Sequence, residues 1–435
     1  MCSVINHRFL SQIKGLHEKM LKLALIFSLF LPVTSTCICS RPPAVFRMRI
    51  GIRVNTDDSS ICFDGCSYTK SGDLIPGVCT RLLFGRECFS IDGKVIRVRK
   101  LTPYRGCHST AYKSFRLHHL VCIPSSIEEI DDDCFCFCRL LGTVTFESGS
   151  TLSRFGSRVF YWCSSFSSIC IPSRVEEFGY ECFGECSHLK TVTFERGSQL
   201  GQIERSAFHG CISLVAMHIP SSVLLLCDKC FGGCSRLEVV TFESGSKLNK
   251  IDTSAFLSCS SLSSIYIPSS VEDCRSGFKG CKNLSTVTFE DGSRLSTIGD
   301  DSFYSCASLS SICIPSSVER LGKYCFIYCQ NLLLVTFERG SQLSTIDEGA
   351  FLNCSSLSSI CIPSSVQLVG KECFRECKSL PTVTFESGSQ LSTIEEGAFK
   401  DCSSLSSIFL PSSVQRLGKE CFKGCSSLTI VPFLS

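Results

Sequence analysis

Residues 354–366 read Cys-Ser-Ser-Leu-Ser-Ser-Ile-Cys-Ile-Pro-Ser-Ser-Val, and close variants of this stretch recur along most of the chain. The Ile-Pro-Ser-Ser phrase recurs every 48 residues, with one step of 47, from Pro124 to Pro411. A second phrase, Val-Thr-Phe-Glu, recurs with the same steps from Phe146 to Phe385. Self-similarity at a fixed period is the signature of stacked repeats, so we expect one structural unit used many times.

Each 48-residue unit contains two coils. A column of 13 cysteines, from Cys138 to Cys425, alternates steps of 25 and 23 residues with a single step of 22. Both coil types carry one apolar skeleton, which is Leu357, Ile360, Ile362, Val366, Val369, Phe374 and Cys377 in a short coil and Leu380, Val383, Phe385, Leu391, Ile394, Phe399 and Cys402 in a long one. The long coil has Glu-Ser-Gly-Ser where the short coil has Pro-Ser, which places the length difference in a turn.

The Leu-x-x-Ile-x-Ile part of a coil predicts a strand whose first, fourth and sixth residues point into the core. Pro363 ends this strand, and the apolar residues from Leu368 to Cys377 have the spacing of a short helix or turn. We therefore predict an α/β repeat over residues 120–435. It is a leucine-rich-repeat solenoid with a parallel β-sheet on one face and short helices or turns on the other. A single coil buries too little to fold alone, so stacking supplies the core.

The stretch at residues 354–366, followed by Gly370 and the Cys373-Phe374 pair, resembles the leucine-rich repeat of the BspA-like surface antigens. The Ala350-Phe351 pair of a long coil resembles that family's repeat more closely still. The resemblance extends from about residue 120 to the C-terminus. It implies a non-enzymatic surface or secreted protein that mediates protein binding and cell adhesion.

The N-terminal part of the chain departs from the repeat. In residues 1–36, lysines precede an apolar run from Leu23 to Leu31 and then small polar residues, which is the order of a signal peptide. This order predicts an extracellular or cell-surface location, whereas an uncleaved leader would leave a cytoplasmic interaction scaffold. The apolar run is too short to span a bilayer, so no membrane span is predicted. Residues 37–119 carry only faint repeats and are predicted to form a degenerate cap.

At the other end, the stretch from Leu428 to Phe433 falls on the strand phase of the repeat, and two residues follow it. We expect no C-terminal anchor there. The pattern predicts an uncapped sheet edge that is open to end-to-end self-association. A self-assembling structural solenoid is therefore the alternative function.

Composition and cysteine placement narrow the function further. The 43 Lys and Arg residues nearly balance the 40 Asp and Glu residues, so no nucleic-acid partner is expected.

The column of 13 cysteines, which we call the cysteine ladder, is predicted to be buried as small apolar side chains. Stacked Cβ atoms about 4.8 Å apart are too distant for regular disulfides. The ladder includes Cys306, Cys329, Cys354, Cys377, Cys402 and Cys425.

No catalytic, metal or cofactor site is predicted. A zinc site needs four ligands that converge at one point, whereas the cysteines occur in pairs and no histidine accompanies them in register. The eight histidines are scattered along the chain. One glutamate follows each long-coil strand, from Glu147 to Glu386. Carboxylates two coils apart, at about 10 Å, are too distant to share a calcium ion, so we interpret this row as a solvated edge.

The outward strand positions form the candidate binding face. Most of them carry small hydroxyl groups, which suits a broad contact with a protein or cell-surface ligand. Four cysteines at outward positions are predicted to be exposed, namely Cys122, Cys170, Cys313 and Cys361. The candidate contact residues are Ser358, Ser359, Cys361, Thr382 and Thr384, with His218, Tyr266 and Phe409 as larger anchors in one column.

Overall fold

A computed structural model describes residues 120–432 and the backbone of five strands nearer the N-terminus. The predicted signal peptide, residues 1–36, lies outside the described residues, as does most of the predicted cap at 37–119. The five strands are β1 (Ile50–Asn55), β2 (Ser60–Gly65), β3 (Cys88–Ile91), β4 (Lys94–Arg97) and β5 (Lys100–Thr102). Within this group, β1 pairs antiparallel with β2 and β3 pairs antiparallel with β4, whereas β5 pairs parallel with β2.

One strand from each of 13 consecutive coils forms what we call the long-strand sheet. The strands are β6 (Leu120–Ile123), β8 (Thr143–Phe146), β10 (Ser168–Ile171), β12 (Thr191–Phe194), β14 (Ala216–Ile219), β16 (Val239–Phe242), β18 (Ser264–Ile267), β20 (Thr286–Phe289), β22 (Ser311–Ile314), β24 (Leu334–Phe337), β26 (Ser359–Ile362), β28 (Thr382–Phe385) and β30 (Ser407–Ile408). Neighbouring strands are parallel and in register, so that Ile360 lies opposite both Val335 and Val383. Hydrogen bonding is continuous from β6 to β16 and from β18 to β30.

A second set of two-residue strands forms the short-strand sheet, also one from each coil. They are β7 (Glu129–Ile130), β9 (Arg154–Phe155), β11 (Glu177–Phe178), β13 (Gln202–Ile203), β15 (Leu225–Leu226), β17 (Lys250–Ile251), β19 (Asp273–Cys274), β21 (Thr297–Ile298), β23 (Arg320–Leu321), β25 (Thr345–Ile346), β27 (Leu368–Val369), β29 (Thr393–Ile394) and β31 (Arg416–Leu417). Hydrogen-bonded neighbours are parallel, with continuous pairing from β7 to β11 and from β13 to β31. The second residue of each strand before β31 is buried. Strand β5 pairs with β7, so this sheet continues into the region before residue 120.

The core is one continuous cluster of side chains from both sheets and from the turns between them. In the long-strand sheet, Leu357, Ile360 and Ile362 are buried while Ser359 and Cys361 between them are exposed. This alternation confirms the predicted orientation of the strand. Phe385, which closes the strand of a long coil, is only half-buried.

A column of 13 phenylalanines, one from each coil, runs through the core from Phe135 to Phe422. Consecutive rings have centroids 5.1 to 5.6 Å apart and planes within 14° of parallel. Offset stacking at this distance adds to the free energy gained by burying the ring area. The column accounts for much of the unusual phenylalanine content of the chain.

The predicted short helices are wrong, because the described residues contain no helix. Between residues 370 and 377, alternate amides donate to different partners. Those of Cys373, Arg375 and Cys377 donate to the carbonyl three residues earlier in the same coil. The amides of Glu372, Phe374 and Glu376 donate to carbonyls of the following coil at 2.7 to 2.9 Å. An α-helix needs all of these amides for hydrogen bonds to carbonyls four residues earlier, so the coil forms consecutive turns instead.

Truncation of one ring in the phenylalanine column should destabilise the protein strongly. Phe326 is fully buried, with Phe303 and Phe351 each at 5.3 Å, so Phe326→Ala should lower the free energy of unfolding by about 3 to 5 kcal/mol. Phe409→Ala is the matched control, because Phe409 is 50% exposed and its loss should change that free energy by about 0.5 kcal/mol or less. Urea unfolding followed by circular dichroism measures both, and equal shifts would contradict a core role for the column.

Candidate binding face

The outward side of the long-strand sheet carries the candidate contact residues. The first and third residues of each strand point outward and the second residue points into the core. We call the third positions the central row. In the long coils this row holds only threonine, namely Thr145, Thr193, Thr241, Thr288, Thr336 and Thr384. In the short coils it holds Cys122, Cys170, His218, Tyr266, Cys313 and Cys361, and we include Phe409, which directly follows the two-residue strand β30.

Four of the predicted contact residues lie together around one shallow cleft. Ser359, Cys361, Thr382 and Thr384 line a depression of about 280 Å³ that spans strands β24 to β28. Ser359 and Cys361 are exposed, Thr384 is exposed, and Thr382 is half-buried. This cleft is an accessible feature of the face but it does not enclose a ligand.

Leu334 also lines this cleft, and sequence reasoning missed it. It is 42% exposed, directly opposite Ser359 on the next strand, and its neighbour Leu333 is 51% exposed. The signal was present, because this long coil reads Leu-Val-Thr-Phe where most read Thr-Val-Thr-Phe. Two adjacent leucines give the face an apolar centre.

The three larger anchors are exposed but separate. Tyr266 and Phe409 are 47% and 50% exposed, and they lie on the sheet on either side of the cleft. Partial desolvation and the nearby Glu290 carboxylate of the next coil raise the pKa of the Tyr266 hydroxyl above its ordinary value. His218 lies farther along the row, where its Nδ1 is 2.9 Å from the Thr241 hydroxyl.

Some hydroxyl groups of the face are occupied by the fold itself. The Ser358 hydroxyl donates to the Leu333 carbonyl at 3.0 Å, and the Thr384 hydroxyl donates to the Ile360 carbonyl at 3.3 Å. Each of these side chains reaches a carbonyl of the preceding coil. Their first role is therefore to hold neighbouring coils together, and a ligand would use their remaining lone pairs.

The glutamate row has a structural role that the sequence did not reveal. The Oε2 atom of each glutamate accepts the amide of the serine that follows proline in the preceding coil, at 2.7 to 3.0 Å. The next serine in that phrase, such as Ser365, donates its hydroxyl back to a leucine carbonyl of the coil before, Leu343, at 2.8 Å. The Pro-Ser-Ser phrase is thus a joint between three coils, and the row is more than a solvated edge.

The cysteine ladder lies in the core beneath the turns. Cys306, Cys329, Cys354, Cys377 and Cys402 are fully buried, and Cys425 is half-buried. From Cys163 onward, each ladder thiol lies 3.0 to 3.3 Å from the carbonyl of the column phenylalanine in the preceding coil, to which it donates.

That carbonyl already accepts one backbone amide, as Phe374 O accepts from Cys377 N at 3.1 Å, so the thiol satisfies its second lone pair. A cysteine fits this position because it is small and apolar and also carries a weak donor.

Burial also controls the reactivity of the ladder thiols. Loss of solvation raises the pKa of Cys329 to about 12, and it raises the pKa of Cys354 well above the ordinary value. The thiolate is the nucleophile in oxidation and alkylation, so these thiols are unreactive in the folded protein. By contrast, Cys122, Cys170, Cys313 and Cys361 in the central row are exposed to solvent.

The part of the chain that the structure describes holds no cluster of three or more His, Cys, Asp or Glu side chains able to bind a metal ion. Within the same residues, no helix combines the length and the hydropathy needed to cross a bilayer.

The sequence profile described as the BspA type leucine rich repeat region matches this chain over residues 107–200, 197–293, 249–377 and 344–435. Together these segments cover most of the chain. The protein belongs to the BspA-type leucine-rich repeat family. Among curated proteins, none matches the chain.

Comparison with solved structures bears on the fold of this BspA-type chain. A leucine-rich repeat protein from Bacteroides ovatus is 22% identical, with 89% of this chain and 98% of that chain covered and a TM-score of 0.63. The pneumococcal vaccine antigen PcpA is 17% identical over 86% of this chain and 97% of its own, with a TM-score of 0.49. A leucine-rich cell surface protein from Faecalibacterium prausnitzii is 22% identical over 91% and 96%, with a TM-score of 0.43. The first of these supports a solenoid of leucine-rich-repeat type.

Thiol accessibility should separate the two cysteine classes. In the native BspA-type solenoid at pH 8, iodoacetamide should label Cys313 and Cys361 rapidly and leave Cys329 and Cys354 unlabelled, because burial removes both access and the thiolate. Peptide mass spectrometry reports each site, and labelling in concentrated guanidinium chloride is the control in which all four should react. Rapid native labelling of Cys329 would contradict the buried ladder.

The serine–glutamate joints should make stability depend on acid pH. The Ser221 and Ser269 amides hold the pKa values of Glu243 and Glu290 below the usual value of 4.5. A lowered pKa in the folded state stabilises the fold above the unfolded-state pKa, and this contribution is lost as pH falls through the folded-state value. The urea midpoint should therefore decrease between pH 5 and pH 3. Glu290→Gln keeps an acceptor oxygen but cannot titrate, so it should reduce this decrease, and an unchanged pH profile would contradict the assignment.

Proposed function

We propose that this protein is a non-enzymatic binding protein of the cell exterior, and that its long-strand sheet face attaches to a protein on host or neighbouring cells. The observation that carries the proposal is the composition of the central row. All six long-coil positions are threonine, whereas the seven short-coil positions hold cysteine, histidine, tyrosine and phenylalanine. Positions that share one backbone setting but differ in side chain are free to serve recognition.

The physical character of the face supports a protein ligand. From β18 to β30 the outward strand residues carry no charge, so binding depends on shape and apolar contact rather than on electrostatic steering. Leu334, Tyr266 and Phe409 supply exposed apolar area, and aromatic side chains are enriched among residues that dominate binding energy. The small hydroxyl-bearing neighbours lose little conformational entropy when a ligand covers them.

Secretion and a surface location belong to the same proposal. Two observations support them: membership of the BspA-type repeat family and the signal-peptide order of residues 1–36. The burial of the ladder thiols is compatible with an oxidising environment, because a protonated thiol is a poor nucleophile. The alternative location is the cytoplasm, where the same face would act as an interaction scaffold.

A charge placed at the centre of the face should abolish attachment. Beads coated with the full chain should adhere to cultured epithelial cells, and Leu334→Glu should reduce adhesion about tenfold or more, because it buries a carboxylate in the contact. Leu140→Glu is the matched control, since Leu140 is 40% exposed in a turn outside the sheet and its charge should leave adhesion unchanged.

Equal adhesion by the two variants would overturn the sheet face as the binding surface, provided that both retain the parent urea midpoint. The location is tested separately, by surface biotinylation and intact mass of the protein from its native source. Mass loss near residue 36 together with biotinylation supports secretion. An intact N-terminus on an unlabelled protein would favour the cytoplasmic scaffold.

A further inference from the structure

The short-coil positions of the central row have a fixed spacing. From β18 to β30 the strands pair consecutively and in parallel, and the short coils supply every second strand. Since neighbouring strands lie about 4.8 Å apart, successive short-coil positions are about 9.6 Å apart. Tyr266, Cys313, Cys361 and Phe409 therefore form a line about 29 Å long that crosses the strands at right angles.

This spacing matches one protein conformation closely. A polyproline II helix has three residues per turn and rises about 3.1 Å per residue, so every third side chain returns to the same side after about 9.3 Å. Over three intervals the mismatch with the row is about 1 Å. An extended β-strand repeats its side chains every 6.6 Å or so, and an α-helix has a pitch of about 5.4 Å, and neither is in step with the row.

The chemistry of this line also suits a proline-rich segment. Tyr266 and Phe409 are exposed aromatic side chains at the two ends of the line. The exposed Cys313 and Cys361, whose side chains are shorter, lie between them. Aromatic-lined grooves are the usual recognition surface for polyproline II segments. The outward residues of all seven strands are uncharged, as are proline-rich apolar sequences. The cleft beside Cys361, which is lined by Leu334 and also by Glu386, offers space for one side chain of such a segment.

We propose that the face between Tyr266 and Phe409 binds an uncharged, proline-rich segment in the polyproline II conformation. The segment lies across strands β18 to β30, and every third residue is placed over a short-coil position of the central row. About ten to twelve residues span the line. This inference rests on the proposed function, because it names the class of protein segment that the sheet face recognises.

The central row contains its own reporter thiols and their internal controls. Cys313 and Cys361 lie inside the proposed contact, whereas Cys122 and Cys170 occupy the same row outside it, and all four are exposed. The probe is a twelve-residue peptide of four Pro-Pro-Leu triplets. At about ten times its dissociation constant it should slow iodoacetamide labelling of Cys313 and Cys361 about tenfold, since only the unbound fraction reacts. Labelling of Cys122 and Cys170 should not change.

A second peptide tests the period itself. Three repeats of Pro-Pro-Pro-Leu have the same length and keep the polyproline II conformation, but their leucines fall out of step with the row. This peptide should give no protection of Cys313 or Cys361. Equal protection by both peptides, or protection of all four thiols, would overturn the inference in favour of non-specific adsorption.

Two protein variants complete the test. Tyr266→Thr and Phe409→Thr introduce the residue that the long coils carry in the same row, so the fold should tolerate them, and each should weaken binding of the Pro-Pro-Leu peptide about tenfold. Tyr180→Thr is the control, because Tyr180 is 49% exposed in a turn away from the sheet. Equal weakening by all three variants would contradict the proposed line.

The outcomes separate this inference from the function on which it rests. If Leu334→Glu abolishes cell attachment but the Pro-Pro-Leu peptide protects no thiol, the inference is wrong and the binding face remains. If Leu334→Glu leaves cell attachment unchanged and the Pro-Pro-Leu peptide protects no thiol, both the binding face and the inference are wrong. Protection of Cys313 and Cys361 that rises with protein concentration in the absence of peptide would replace the inference with self-association through this face.

Discussion

Each coil must present nearly the same cross-section to the next, because no coil can bury its own apolar side chains. The phenylalanine column expresses this constraint directly, as Phe374 packs between Phe351 at 5.2 Å and Phe399 at 5.3 Å. The two sheets and the thiol ladder follow, since each requires equivalent atoms to lie one coil apart along the whole array. Core positions exchange one apolar side chain for another, as Phe178, Ile203 and Cys274 do at equivalent places in the short-strand sheet. The side chains that point away from the core are the ones available for binding.

The repeat made most of the fold predictable from sequence, because a period repeated in 13 coils fixes which residues share a column. The repeat could not decide whether the part of each coil after the short strand forms a helix or turns. Apolar residues three to five apart are common to a short helix and to consecutive turns, and the choice depends on amides such as that of Phe374, which donate to the following coil. The glutamate row was misinterpreted for a related reason. Sequence spacing gives the distance between Glu338 and Glu386, but it does not show the Ser316 and Ser364 amides that reach them.

The two coil types divide the tasks of the molecule. Long coils carry the glutamates that bind the preceding turn and a constant threonine in the central row. Short coils carry the varied residues of that row and the Pro-Ser-Ser phrase that receives the glutamate. The candidate face was partly predictable, because outward positions follow from strand alternation. The apolar centre at Leu334 was overlooked because it lies in a long coil, where the pattern favours threonine.

The joints also bear on how such a gene can change length. The carboxylate of Glu386 contacts the short coil before it, and the hydroxyl of Ser365 in that short coil contacts the long coil before that. An in-frame duplication of one long and one short coil would therefore recreate both contacts at each new boundary. Insertion of a single coil would place two coils of one type side by side, and one of the two contacts would then be missing at that boundary. Evolution by unequal recombination should accordingly proceed in units of two coils, which lengthens the face without requiring any new interface.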